Sequence, residues 1–242
     1  MEKTVSEAIA YRRSTRVYKD EPIDTEKVKQ CLVNASLAPT SSNLQLWEFY
    51  HITDKTVLQK LAEACFNQSA AKTAQQLVVI VARKDLWRKR AKANIEFLNK
   101  VYNKPDLSER DLKRKTMASN YYKKLIPTIY IDVAGILGYI KFFIFQIIGI
   151  FKPIYRQTRL SDMRIVAHKS AGLAAQNFMT SMAAINYDTC PMEGSDSLRV
   201  KQILNLPRGA EINMIISCGI RDDKGIYGPR FRVPFEDVYF KV

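Results

Sequence analysis

Apolar positions along the chain change period several times, and each change predicts an element. Val28, Cys31, Leu32 and Ala35 recur at helical spacing behind Asp24, which predicts a capped amphipathic helix. Residues 3–10 predict a short helix before it, and residues 56–65 predict another after it. Between these lies Trp47–Ile52, which reads as a strand, and residues 77–82, LVVIVA, are apolar at every position. A strand without alternation is buried on both sides, so helices are expected on both faces of its sheet. Residues 83–124 are charged and mostly helical in pattern, with a break at Lys104-Pro105.

The second half begins with an apolar run and continues with a helix. Residues 163–184 form a helical pattern crowded with small residues, among them Ala167, Ala171, Gly172, Ala174, Ala175, Ser181 and Ala183. Small residues permit close approach, so this helix is expected to pack on another helix or on its own symmetry mate. Pro191 is expected to start a turn, Ser195 or Asp196 to cap a helix running through Leu204, and INMIISCGI from Ile212 to form a further buried strand. The elements imply an α/β (α+β) fold with helices on both faces of a central sheet. No repeat or flexible linker divides the chain, so residues 1–242 are expected to be one domain.

Residues 133–151, VAGILGYIKFFIFQIIGIF, contain one charge, Lys141, and one amide, Gln146, with basic residues on both flanks. Nineteen residues is the lower edge for spanning hydrocarbon, and a mid-segment lysine counts against spanning. A hydrophobic hairpin over the core or a pocket, an element lying in a membrane interface, and a spanning helix all fit this pattern.

The chain carries a net charge of +14. Residues 83–124 hold fourteen Lys/Arg against five Asp/Glu, a bias expected of a solvated helical face. Aromatic residues do not alternate with these charges, so nucleic acid is not the expected partner. Cys31, Cys65, Cys190 and Cys218 lack metal-ligand or disulfide spacing and read as reduced core residues. The N-terminus is too charged for a signal peptide, which places the expected location in the cytoplasm, with membrane association open through residues 133–151.

Candidate chemistry lies mainly at the two ends of the chain. Arg12, Arg13, Ser14 and Arg16 follow the first helix, and Arg230 and Arg232 stand on alternate positions near the C-terminus. Guanidinium forks suit phosphate, and two such clusters can converge on one. The sequence contains no GxGxxG, GxxxxGK[ST] or GxSxG, and His51 and His168 lack partners at metal-ligand spacing, so no hydrolase constellation and no metal site is expected.

An ordered set of local patterns then carries a resemblance. Arg12-Arg13-Ser14-Thr15-Arg16, residues 39–47 from Pro39 to Trp47, Asn67-Gln68, Pro191-Met192-Glu193-Gly194, and Arg230 with Arg232 before Val233-Pro234 bracket nearly the whole chain. In order and spacing the chain resembles the nitroreductase family of flavoenzymes. The resemblance implies FMN bound at the interface of a homodimer, with NADH or NADPH as hydride donor. It implies that Arg12, Arg13, Ser14, Arg230 and Arg232 grip the phosphate and ribityl chain, and that Arg16 lies near the pyrimidine side of the ring. Asn67 matches an amide at the ring edge, and Pro39, Thr40, Ser41 and Asn43 match a loop reaching the neighbouring subunit's flavin, held by Gln45 and Trp47. Pro191, Met192, Glu193 and Gly194 match a turn over the ring. Gly194 N–H is expected to approach N5, with Glu193 beside the nicotinamide site, and these two are the candidate catalytic positions.

By the same resemblance, the central sheet is mixed and largely antiparallel with flanking helices, and residues at about 88–160 form a variable helical and apolar insertion that governs substrate choice. Hydride passes from the nucleotide through the flavin to a small-molecule acceptor such as a nitroaromatic or quinone, as the resemblance also implies. Alternatives are a membrane-associated reductase of a lipid-like or quinone substrate and a non-catalytic flavin-binding protein. Dimerisation is expected to bury part of the small-residue helix around residues 171–183, with residues 235–242 reaching across as an arm. The chain departs from the family pattern at Leu46, where proline is common, and at Ala70, where lysine is frequent and Lys72 stands two residues further on.

Overall fold

The computed structural model describes residues 2–133 and 135–242. Ala134, inside the expected apolar run of 133–151, lies outside the described residues. In chain order the elements are α1 (Val5–Tyr11), α2 (Thr25–Ser36), β1 (Trp47–Ile52), α3 (Lys55–Ala64), α4 (Ser69–Lys72), β2 (Gln76–Ala82), α5 (Trp87–Val101) and α6 (Glu109–Asn120). They continue as α7 (Ile126–Tyr130), α8 (Ile136–Phe151), α9 (Leu160–Ala184), β3 (Asp188–Met192), α10 (Ser197–Ile203) and β4 (Glu211–Gly219).

Helix starts coincide with side chains that satisfy free amide groups. Thr4 and Glu7 form a reciprocal capping box on α1, and Asp24, Asp54 and Asp196 accept backbone N–H groups at the starts of α2, α3 and α10. Each such cap contributes about 1 kcal/mol. The alternative between Ser195 and Asp196 is thereby resolved in favour of Asp196. The predicted break at Lys104-Pro105 falls between α5 and α6.

The sheet has the order β1-β2-β4-β3, and its strand pairs are antiparallel. A parallel bridge between Ser14 and Thr189 adds the mixed character. Alternation along β2 divides the core in two. Val78, Ile80 and Ala82 point into the layer built by α2 and α9, while Leu77, Val79 and Val81 join Leu61, Ala64 and Val200 beneath α3 and α10. Every β2 residue is buried, which explains why its sequence has no polar face.

Two expectations need correction, and a third, the packing of α9, is met within the chain. Pro191 is in β3, paired with Ile216, and the turn follows Met192. It is tolerated because β3 is an edge strand, where a missing N–H costs no ladder bond. The small residues of α9 pack on another helix, one of the two partners expected of them: Ala171, Ala174 and Ala175 are buried in the core with α2, while Leu173 and Gln176 face outward. Residues 133–151 do not form a hairpin over the core, since residues 136–151 are one continuous helix with outward apolar side chains. Among the described residues, no helix is long and apolar enough to cross a membrane.

Candidate active site

The segment after α1 is laid against the β3 edge and the chain leaving β4. Thr15 N–H donates to Thr189 O at 3.2 Å, Arg16 N–H to Gly225 O at 2.6 Å, and Lys19 N–H to Ile220 O at 2.9 Å. This approach requires glycine at 225, where an added Cβ would stand 2.5 Å from Val17 O. Beneath it, Asp188 is almost fully buried and pairs with Arg221, Nε to Oδ1 at 2.8 Å. Arg221 also lies 4.1 Å above the Tyr11 ring and donates to Tyr11 O.

That framework sets Arg12, Arg13, Ser14 and Arg16 on one side of a cavity of about 280 Å³, with Arg230 and Arg232 on the other. The two clusters read separately from sequence therefore meet. Arg230 Nη2 donates to the carbonyls of Ala10 at 2.8 Å and Arg12 at 2.6 Å, and Arg13 Nη2 to Gly228 O at 2.8 Å. Burial, followed by the repulsion of Arg230 and Arg232, lowers the pKa of the Arg12 guanidinium. Among the described residues none of the five arginines forms an ion pair with a carboxylate. Converging cations without an acidic partner form an anion-binding donor set.

The turn carrying Glu193 and Gly194 continues from β3, directly beyond Cys190. Burial raises the Cys190 thiol's pKa, opposed by Arg16 and Arg12, which puts both arginines within electrostatic reach of this strand. Gln68 Nε2 donates to Gly194 O at 3.0 Å and to Cys65 O at 3.1 Å, while Asp196 N–H donates to Ala64 O, so the α3 terminus holds the turn from behind. Glu193 and Gly194 are exposed.

The remaining candidates lie elsewhere. Asn67, with φ of 53°, lines a separate cavity of about 890 Å³ together with Lys72, so neither joins the arginine cavity. Pro39, Thr40, Ser41 and Asn43 belong to a loop fastened on the α5 and α9 side. Ser41 N–H donates to Ser170 Oγ, Asn43 Nδ2 to Asn94 Oδ1, and Gln45 N–H to Thr40 Oγ1. Tyr122 donates to Ser42 O, and Ser42, Asn43 and Gln45 all have positive φ, a conformation held by these bonds. Leu46, the departure from proline, is buried in the core.

Sequence reasoning missed Asp188, Arg221 and Gln68. Opposite charges at the two ends of paired apolar strands were a usable signal for the first two. Gln68 gave none beyond adjacency to Asn67. His51 bonds Gln76 and His168 contacts Glu211, both structural roles, and no metal-binding group occurs among the described residues.

Comparison with known proteins agrees with this arrangement. The model of the Nitroreductase family matches residues 9–220. Protein DrgA of Synechocystis sp. is 27% identical over 218 residues, covering 90% of this chain and 84% of DrgA. In fold, the chain is similar to the ydfN protein of Bacillus subtilis, with a TM-score of 0.73, 22% identity and 98% of each chain covered. It is also similar to a protein of Exiguobacterium sibiricum solved in complex with FMN, with a TM-score of 0.67, 21% identity, and 99% and 98% of the two chains covered. A match over most of the chain, on a sheet and loop framework of the same fold, shows that this protein belongs to the Nitroreductase family.

Proposed function

We propose that the protein is an FMN-dependent oxidoreductase that takes hydride from NADH or NADPH and delivers it to an organic acceptor such as a nitroaromatic or a quinone. The observation that carries this reading is the convergence of five arginines on one cavity without an acidic partner. Their donor chemistry fits a phosphate monoester, and FMN is the ligand of the similar Exiguobacterium protein.

In this reading Arg12, Arg13, Ser14, Arg230 and Arg232 hold the phosphate and ribityl chain. Arg16 supplies positive charge to the pyrimidine side of the ring, where its Coulombic attraction favours the anionic reduced form. Met192 and Pro191 fix the strand end from which Glu193 and Gly194 project, and Gln68 steadies that turn through Gly194 O. The Gly194 amide is the donor toward N5, and Glu193 stands at the nucleotide's side. Asn67, next to Gln68 in the turn after α3, is the amide toward the ring edge. Pro39, Thr40, Ser41 and Asn43 serve the site of a second copy in a homodimer. FMN, when bound, supplies the hydride-accepting and hydride-donating chemistry, so the chain needs no acid-base triad. A lipid-like or quinone acceptor at a membrane is the second reading, favoured by the exposed apolar α8.

The test is the absorption spectrum of the purified, FMN-reconstituted protein before and after anaerobic NADH or NADPH. Stoichiometric FMN that bleaches with nucleotide and recovers with a quinone supports the reading. A protein that takes up no FMN and oxidises no nucleotide refutes it, and one that holds FMN without turnover identifies a non-catalytic flavin protein.

A further inference from the structure

Helix α8 presents apolar side chains outward at helical spacing. Ile136, Tyr139, Phe143, Ile147 and Ile150 are 64%, 56%, 65%, 60% and 75% exposed, and Phe151 at the end is 82% exposed. Continuous apolar exposure on this scale marks an interaction surface. The helix contains a single charged residue, Lys141, and that residue is turned inward. Its Nζ donates to the carbonyls of Thr128, Ile129 and Ile131 at 3.0, 3.1 and 2.7 Å. The outward stripe therefore carries no charge.

Its surroundings are strongly cationic. Residues 111–162 contain nine Lys/Arg and three acidic residues: Asp111 and Asp162 pair with Arg114 and Arg159, and Asp132 accepts the Gly138 N–H at the start of α8. Lys152 stands at the end of α8, Arg156 is laid on that end and donates to Gln146 Oε1 at 2.6 Å, and Lys123 and Lys124 are exposed on the segment before α7. Sixteen residues make a helix of about 24 Å, shorter than a bilayer's hydrocarbon core.

We propose that α8 is an in-plane anchor that lays its outward stripe into the surface of an anionic lipid bilayer, with the surrounding lysines and arginines on the headgroups. Charge complementarity selects this occupant. In a two-fold contact between copies the same patch meets itself, so this collar of cations would face an identical one, whereas anionic headgroups neutralise it. The inference is independent of flavin chemistry, because vesicle binding and nucleotide oxidation are separate readouts.

The test is flotation of the full chain with vesicles of phosphatidylcholine alone or mixed with phosphatidylglycerol, at low and high salt. Flotation with the mixed vesicles that falls in high salt is expected. Phe143→Glu and Ile147→Glu are each expected to lower partitioning by about ten-fold or more. Both positions are outward, so circular dichroism is expected to stay unchanged. As a second probe, Phe143→Trp is expected to shift its emission to the blue on mixed vesicles. Absence of flotation, or flotation undiminished in folded Glu variants, overturns the proposal. It is also overturned if the wild type ignores vesicles and the Glu variants convert a dimer to a monomer in sedimentation velocity, because α8 then covers a second copy.

Discussion

Asp188 is the most sensitive position in the framework beneath the arginine cavity. Its side chain is 2% exposed and, among the described residues, its one cationic partner is Arg221, 26% exposed and 2.5 Å away. Asp188→Ala removes the ion pair, the Arg221 N–H bond to Oδ2 at 3.0 Å and the Tyr11 hydroxyl bond at 3.4 Å, and leaves a largely buried guanidinium without compensation. Losing one partner of such a pair costs about 3–5 kcal/mol. With a urea slope near the upper end for small proteins, ~3 kcal/mol/M, the midpoint falls by about 1–1.7 M. The assay is urea unfolding followed by far-ultraviolet circular dichroism. The double variant Asp188→Asn with Arg221→Met leaves no buried charge, so it is expected to be more stable than Asp188→Ala alone. A loss below about 1 kcal/mol in the single variant, typical of a solvated pair, refutes the reasoning. So would simple additivity across the two positions. Because Arg221 also holds Tyr11 O, directly before Arg12, FMN affinity is expected to fall in Asp188→Ala under conditions where the variant is folded.

Three further outcomes test other parts of the structure. Arg230→Gln removes a cavity cation and the bonds that fix Ala10 and Arg12, and FMN binding followed by fluorescence quenching is expected to weaken about ten-fold or more. Lys141→Met strips the α7 end of three charge-assisted bonds, and urea unfolding is expected to show a loss of about 1–3 kcal/mol. The Arg159 side chain holds the Asp162 carboxyl below its ordinary pKa, so its contribution is present at neutral pH and disappears as pH falls through about 4 toward the lower folded value. Asp162→Asn is expected to flatten that acid limb in thermal melts across the range, and an unchanged slope would count against the pair.

Elements with a single local cause were readable without coordinates. Asp24 and the Val28 to Ala35 spacing specified α2, and unbroken apolarity specified β2 between two helical layers. The convergence of Arg12 with Arg230 was accessible as chemistry but not as distance, since it depends on the chain after β4 folding back over α1. Pro191 misled because proline marks turns in general, and its tolerance in β3 depends on an edge position that only the strand order reveals. The run at 133–151 left a hairpin, an interfacial element and a span open because apolar content ordinarily reports burial, and α8 separates the two. Asn67 lines the second cavity just beyond α3, a direction that no spacing encodes.

The strand order also sets a schedule for synthesis. β2 is flanked by β1, which emerges before it, and by β4, which is separated from it by well over a hundred residues. At ribosomal rates the LVVIVA segment waits roughly ten seconds for its second neighbour. Throughout that interval one edge of a fully apolar strand is unpaired, the kind of template on which chains aggregate. Nascent chains ending before residue 211 should therefore be insoluble or held by chaperones, and the yield of soluble protein should respond to the elongation rate between the two central strands.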